Sequence, residues 1–143
     1  MKDIYHWYIV FCLAVIVGGI ALLAYWYTFP LRVADYATVL PILNANHEVK
    51  VGTPIRWHVE GFQYIKNIPC TVDRELIDGL VQNYAQIGYS MSGGKVSFDN
   101  TTLIVPKYFS PGLYHVGLVT RCKLNPLREW VFNSRTEDFK VVL

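Results

Sequence analysis

The stretch Ser110-Pro111-Gly112-Leu113-Tyr114-His115-Val116-Gly117-Leu118-Val119-Thr120-Arg121-Cys122 decides how most of the chain folds. Ser110-Pro111-Gly112 is a turn signal, since proline fixes a backbone torsion and glycine adopts conformations closed to other residues. Beyond it, Tyr114, Val116, Leu118, Thr120 and Cys122 occupy every second position, the period of a strand with one face buried. The same alternation recurs elsewhere. Ile55, Trp57 and Val59 alternate with Arg56, His58 and Glu60 after the turn Gly52-Thr53-Pro54, and Phe139, Val141 and Leu143 alternate at the carboxyl end. Further strands are expected at 36–43, 70–77, 96–98 with 103–105, and 129–132, punctuated by Gly93-Gly94 and Asn125-Pro126. The segment 80–89 is ambiguous: Leu80, Tyr84 and Ile87 fit a helical face, but Gly79 and Gly88 bracket it, and a sheet-edge strand or loop is preferred.

About seven short strands with frequent turns predict an all-β fold, an antiparallel β-sandwich. Tyr114, following a glycine-containing corner and opening a strand, resembles the tyrosine corner of immunoglobulin-like sandwiches, where the hydroxyl caps nearby backbone. The likeness to antibody domains is partial. They carry a cysteine two residues beyond that tyrosine, where this chain has Val116, and Trp57 precedes the first domain cysteine instead of following it. The expectation is therefore an immunoglobulin-like sandwich outside the antibody family.

Ahead of this domain lies an uncharged stretch, 4–31, with aromatic residues at both ends: Tyr5-His6-Trp7-Tyr8 and Tyr25-Trp26-Tyr27-Thr28-Phe29. At helical rise, Trp7 to Trp26 spans about 29 Å, close to the roughly 30 Å hydrocarbon thickness of a bilayer. Tyr and Trp favour the headgroup level. A cleaved signal peptide would have a shorter apolar run and a small-x-small site, whereas bulky Tyr25-Trp26 follow Ala24 here. The reading is a transmembrane anchor at 1–30, a linker at 31–35 and a sandwich domain at 36–143. The flanking charges, Lys2 and Asp3 before the span and Arg32 and Asp35 after it, barely orient it. Ala14, Gly18 and Ala21 share a helix face on which two helices approach closely; weak self-association through it is kept open.

Cys12 lies in the apolar span and reads as a small hydrophobe. Cys70 and Cys122 fall on expected strands, and Cys122 shares the inward phase of Val116 and Leu118. A bridge between them is expected, with Cys70 on an adjacent or facing strand. Such a bridge persists in oxidising compartments, which puts the domain in the periplasm or extracellular space and the amino terminus inside.

The chain carries a net charge of +2 and no basic cluster interleaved with aromatics, which argues against a nucleic-acid partner. His6, His47, His58 and His115 are scattered without ligand spacing, so no metal or cofactor is expected. His58 reads as a solvated residue, and Asp73, Arg74, Glu75 and Asp78 as an exposed salted segment. Asn100-Thr101-Thr102 matches a glycosylation acceptor, which matters only in a eukaryotic secretory route. No nucleophile elbow, P-loop or dinucleotide fingerprint occurs, and no catalytic residue is assigned. Tyr64, Tyr84, Tyr89, Tyr108 and Phe109 are candidates for exposed aromatic contacts, and Tyr108 with Phe109 is the preferred binding pair.

Four segments in order, Asn46-His47-Glu48-Val49-Lys50-Val51-Gly52, Ser110 to Tyr114, Lys123-Leu124-Asn125-Pro126-Leu127-Arg128 and Arg135-Thr136-Glu137-Asp138-Phe139, give a broader resemblance. The chain resembles small membrane-anchored proteins with one immunoglobulin-like domain encoded in tailed-bacteriophage and environmental viral genomes. That resemblance implies a bacterial envelope setting and carries no catalytic residues. The expected function is non-enzymatic: protein or envelope binding outside the cytoplasm, in phage–host envelope interaction, lysis or superinfection exclusion. A structural virion or assembly component is the alternative, and an envelope hydrolase the remote one.

Overall fold

A computed structural model describes the backbone of residues 2–30, 32–77 and 81–143, and their side chains except those of 2–3 and 81–85. Leu31, Asp78, Gly79, Leu80 and the side chain of Tyr84, all part of the sequence reading, lie outside the described residues. The protein is mostly β, with one long amino-terminal helix, α1 (Lys2–Thr28). Its segment Ile4–Thr28 is long and apolar enough to cross a membrane, and its side chains are exposed all round. The helix stops where Pro30 disfavours helical geometry in the residue before it.

Ten strands follow among the described residues: β1 (Ala34–Tyr36), β2 (Val39–Leu40), β3 (Glu48–Lys50), β4 (Pro54–Gln63), β5 (Pro69–Ile77), β6 (Val81–Ser90), β7 (Gly94–Ile104), β8 (Gly112–Asn125), β9 (Arg128–Thr136) and β10 (Phe139–Val142). One sheet has the order β1-β4-β7. The other runs β2-β9-β8-β10-β3, with β5 also pairing β8 and β6 pairing β5. Of the edge strand or loop preferred for 80–89, the described residues 81–89 form a strand, part of β6, which pairs β5.

Several expectations are corrected. Pairing is not wholly antiparallel, because β2 runs parallel to β9 and β3 parallel to β10. The expected linker is shorter than 31–35, since β1 opens at Ala34 and pairs with the end of β4. The single strand expected at 36–43 is broken into β1, β2 and a bridge of Ile42 to Trp57. Pro41, which has no N–H to give a ladder, accounts for the end of β2 at Leu40. The two pieces expected at 96–98 and 103–105 are one strand, β7, which ends at Ile104 and is held along its length by β4. Leu143 sits beyond the last pairing and is 82% exposed, although its phase matches Phe139 and Val141.

The main core draws on both sheets. Ile55 and Trp57 of β4 and Leu103 of β7 meet Leu76 of β5, Val116 and Leu118 of β8, and Phe139 and Val141 of β10. A second cluster, nearer α1, gathers Val33, Cys70, Met91 and Cys122, with Ile65, Ile68, Leu124 and Trp130 packed against it. Gly61 permits the first sheet to form. A Cβ there would collide with the ring of Tyr36 and come within 2.6 Å of the Asp35 carbonyl oxygen.

Candidate functional site

The junction between α1 and the β domain is built by the β8–β9 hairpin. Its two-residue tip, Pro126-Leu127, is closed by the pair Asn125 and Arg128 and by a hydrogen bond from the Leu127 N–H to Asn125 Oδ1. The last carbonyls of a helix have no intrahelical donors. Here Asn125 Nδ2 donates to the Trp26 carbonyl at 2.7 Å. Arg128 Nη1 donates to the Thr28 and Pro30 carbonyls at 2.9 and 2.7 Å. A cation at this end also meets the negative pole of the helix dipole. Beside the clamp lies a niche of about 530 Å³ lined by Tyr25, Trp26, Phe29, Arg32, Tyr64 and Leu124, among others. On its rim Arg32 lies over the Tyr64 ring at 4.8 Å and pairs with Asp35 at 3.0 Å. The Tyr64 hydroxyl donates to Asp35 Oδ2 at 2.8 Å, and that bond raises the phenol's pKa.

Cys70 and Cys122 are joined in a disulfide. They are directly opposite in the β5–β8 register, so the bridge links neighbouring strands of one sheet. The antibody bridge differs, joining two sheets. Tyr114 is buried and its hydroxyl donates to the Ser110 carbonyl at 2.9 Å, four residues upstream across the turn. The preferred binding pair separates. Tyr108 is 77% exposed, whereas Phe109 is 8% exposed and belongs to the main core, its ring 5.4 Å from that of Tyr114. Phe109 is thus a core residue rather than a contact residue. Tyr89 is only half-buried, and that burial, with the neighbouring Tyr36, pushes its phenol pKa well above the usual value.

A cleft of about 460 Å³ lies between the sheets. Five aromatic residues contribute to its walls: Tyr36, Trp57, Tyr89, Phe98 and Phe132. Its polar lining includes Gln63, Arg74, Asn100, Thr102 and Thr120. Arg74 is only 7% exposed, which corrects the reading of 73–78 as an exposed salted segment. The reason is strand phase: Cys70, Val72, Arg74 and Leu76 point inward, while Asp73 faces out to Arg121 and Gln86. That alternation was available in the sequence, but the local run of charges masked it.

Arg74 crosses from one sheet to the other. Its Nη1 donates to Thr102 Oγ1 of β7 at 3.0 Å, and Thr102 Oγ1 in turn donates to Asn100 Oδ1 at 2.9 Å. Asn100, which opens the short match to a glycosylation acceptor, is engaged within strand β7 and lines the cleft. At the other end Gln63 is the polar hub. Its Oε1 accepts from the Ser92 and Gly93 N–H groups at 2.8 and 3.1 Å, and its Nε2 donates to the Tyr36 hydroxyl at 2.6 Å. No sequence pattern singled Gln63 out. An amide flanked by Phe62 and Tyr64 shows its importance only when the turn after β6 folds over it.

A third group stands on the outer face of β4 and β7. His58 Nδ1 lies 2.7 Å from Asp99 Oδ1, and Ser97 Oγ lies 3.3 Å from His58 Nε2. His58 is thus tied across the strands rather than merely solvated. Carboxylate, imidazole and hydroxyl occur in the order of a hydrolase relay. Acyl transfer also needs donors held in a water-excluded site around the developing oxyanion. The trio instead continues a row of exposed cross-strand partners with Glu60 and Lys95 and lies outside both cavities. Its evident work is cross-strand pairing.

No family model and no curated protein matches the chain. Among solved structures, the sporulation control protein Spo0M of Bacillus subtilis aligns with TM-score 0.38 and 15% identity, over 78% of this chain and 50% of that one. A β-glucosidase of Listeria innocua in complex with glucose aligns with TM-score 0.35 and 17% identity, over 76% of this chain and 16% of that one. The chain therefore spans about half of the first and about a sixth of the second.

Proposed function

We propose that the protein is a non-enzymatic, single-pass membrane protein whose immunoglobulin-like β-sandwich stands outside the cytoplasm and binds a protein or envelope component. The observation that carries this reading is the pairing of an apolar helix, Ile4–Thr28, with a disulfide, Cys70–Cys122, in the domain that follows it. The helix suits a bilayer by length and composition, and the bridge suits an oxidising compartment. Together they support a reading with the amino terminus inside and the domain in the periplasm. The immunoglobulin-like reading is supported by a core shared between two sheets and by the Tyr114 hydroxyl bonded back to Ser110. The resemblance to membrane-anchored phage proteins adds the setting: an infected bacterium, where such a domain serves lysis, superinfection exclusion or another envelope contact.

Labelling of intact cells with a membrane-impermeant maleimide, with and without a reductant, tests the topology. A fraction in which Cys70 and Cys122 label only after reduction, and from outside the inner membrane, is expected. Free thiols before reduction would remove the argument for a periplasmic domain. Loss of the protein should alter lysis or reinfection, while co-purification with virions would move the function to a structural role in the particle.

A further inference from the structure

We infer that the end of the β domain beside α1 is a second membrane-contact surface, resting on the headgroups of the bilayer that α1 spans and gathering anionic phospholipids there. The inference deepens the anchored reading and rests on it, since without a membrane-spanning α1 no bilayer lies beside this surface.

The clamp sets the depth. The 25 residues Ile4–Thr28 extend about 37 Å at helical rise, against a hydrocarbon layer of about 30 Å. A centred helix therefore passes the hydrocarbon by less than one turn at each end, and Trp26 and Tyr27 fall in the headgroup layer that suits them. Asn125 reaches the Trp26 carbonyl at 2.7 Å and Arg128 the Thr28 carbonyl at 2.9 Å. Bonds that short hold the β8–β9 tip at the depth of those residues instead of above the membrane. Leu127, between the two clamp residues, is 51% exposed. It is an apolar side chain that the domain leaves uncovered at the level where a bilayer would cover it. The niche beside the tip lies at the same depth, with Phe29, Ile65, Ile68 and Leu124 among its walls.

Charge selects the lipid. This end of the domain carries Arg32, Lys66, Lys95, Lys123 and Arg128. Arg32 is offset by Asp35 and Lys95 by Glu60. Arg128 donates to neutral carbonyls, so its charge is not cancelled there. Lys66 and Lys123 are exposed and, among the described residues, form no ion pair, although Glu129 stands opposite Lys123 in the β8–β9 register. Three cations thus face one carboxylate. Lys66 follows Ile65 and Lys123 precedes Leu124, both on the wall of the niche, so these ammonium groups are anchored beside the tip. Cations held next to a membrane surface attract anionic headgroups, and an excess of positive charge favours phosphatidylglycerol over phosphatidylcholine.

The test places a bimane fluorophore on the full chain, with its disulfide intact, in bilayers of phosphatidylcholine. A small, equal fraction of phosphatidylglycerol or phosphatidylcholine carrying a nitroxide on its acyl chain serves as quencher. The label is put on Cys12, or on Leu127→Cys or Tyr108→Cys with Cys12→Ala. Cys12 should be quenched by both lipids, and Tyr108→Cys, at the opposite end of β8, by neither. Leu127→Cys should be quenched by both, about threefold or more strongly by phosphatidylglycerol. That preference should fall to about one in roughly 0.5 M salt, where charges are screened beyond a few ångströms. Lys66→Gln with Lys123→Gln should abolish it too, while quenching by phosphatidylcholine persists; both positions are exposed, so folding is spared. Quenching at Cys12 but none at Leu127→Cys overturns the contact surface and leaves the anchor standing. No quenching at Cys12 removes the anchor and the surface together. Equal quenching of Leu127→Cys by the two lipids, or a preference untouched in the double variant, overturns the selection of anionic lipid by these lysines.

Discussion

Cys70 and Arg74 occupy the same inward phase of the same strand, β5, and the regions around them are finished in opposite ways. At Cys70 the strand is bonded covalently to Cys122 directly across β8, and Val33, Met91, Leu124 and Trp130 pack over the bridge. At Arg74 the inward position carries a charge, and the facing β7 presents Asn100 and Thr102 where the main core farther along has Leu103. One region is closed by apolar side chains and a bridge, and the other stays open, with polar side chains and half-exposed Phe98 along it. Alternation sets which way a side chain points, and side-chain size and polarity then decide whether the space is filled.

The largest effect should come from breaking the closed region. Replacing Cys70 and Cys122 together by Ala should lower the unfolding free energy by about 2–5 kcal/mol. Denaturant titration followed by circular dichroism, with α1 contributing a constant helical signal, reads it. A loss confined to a few tenths of a kcal/mol would mean that apolar packing around the bridge, rather than the bridge, closes this end.

Next comes the turn that feeds β8. Phe109→Ser should cost about 3 kcal/mol or more, since it empties a core position against Tyr114. Tyr108→Ser should change stability by about 0.5 kcal/mol at most, because its ring is exposed. The two adjacent aromatics thus separate folding from surface contact. If Tyr108→Ser proved as damaging as Phe109→Ser, the turn would be packed differently from this description.

That pair also shows where the sequence could be read and where it could not. Strict alternation identified β4, β8 and β10, since each has a buried face long enough to display its period. Cys122 could be oriented from its phase alone. The partner's strand could not, because adjacent and facing positions give the same local pattern. The parallel pairings of β2 and β3 depend on where the chain returns, a matter of distant contacts. Tyr108 and Phe109 look alike as neighbours in a turn, and only the ring of Tyr114 distinguishes them. The cleft was invisible for a related reason. Its lining is contributed by strands far apart in sequence, and the one local clue, the inward phase of Arg74, was hidden among Asp73 and Glu75.

Tyr89 lies where the two regions meet, opposite Cys70 in the β5–β6 register and on the wall of the cleft. Burial first, and then the neighbouring Tyr36, raise its pKa from 10.0, so the folded protein keeps a proton that the unfolded chain releases. Stability from this group is therefore intact below pH 10 and declines as pH rises above it, by up to about 1.4 kcal/mol per pH unit. Tyr89→Phe should flatten the part of the alkaline stability profile due to this residue. Unfolding at pH 9 and pH 11 in both proteins provides the measurement, and equal slopes would show that the phenol is as well solvated in the fold as out of it.

The smallest effect belongs to the clamp on α1, and it probes the closed end from the side of the helix. Arg128 gives one nitrogen to two carbonyls, one at the last residue of α1 and one two residues beyond it, and Asn125 gives its amide to a third. An exposed cation at a helix carboxyl end contributes about 0.3–1 kcal/mol. Arg128→Met should therefore barely change global unfolding. It should instead loosen the domain on its helix, because the carbonyls of Thr28 and Pro30 then turn to water. Spin labels at Val15 and Thr71, measured by dipolar spectroscopy, should show a broader distance distribution in Arg128→Met and a broader one still with Asn125→Ala added. An unchanged distribution in the double variant would assign the rigidity of the junction to the apolar contacts of Trp26, Phe29 and Leu124 around the niche.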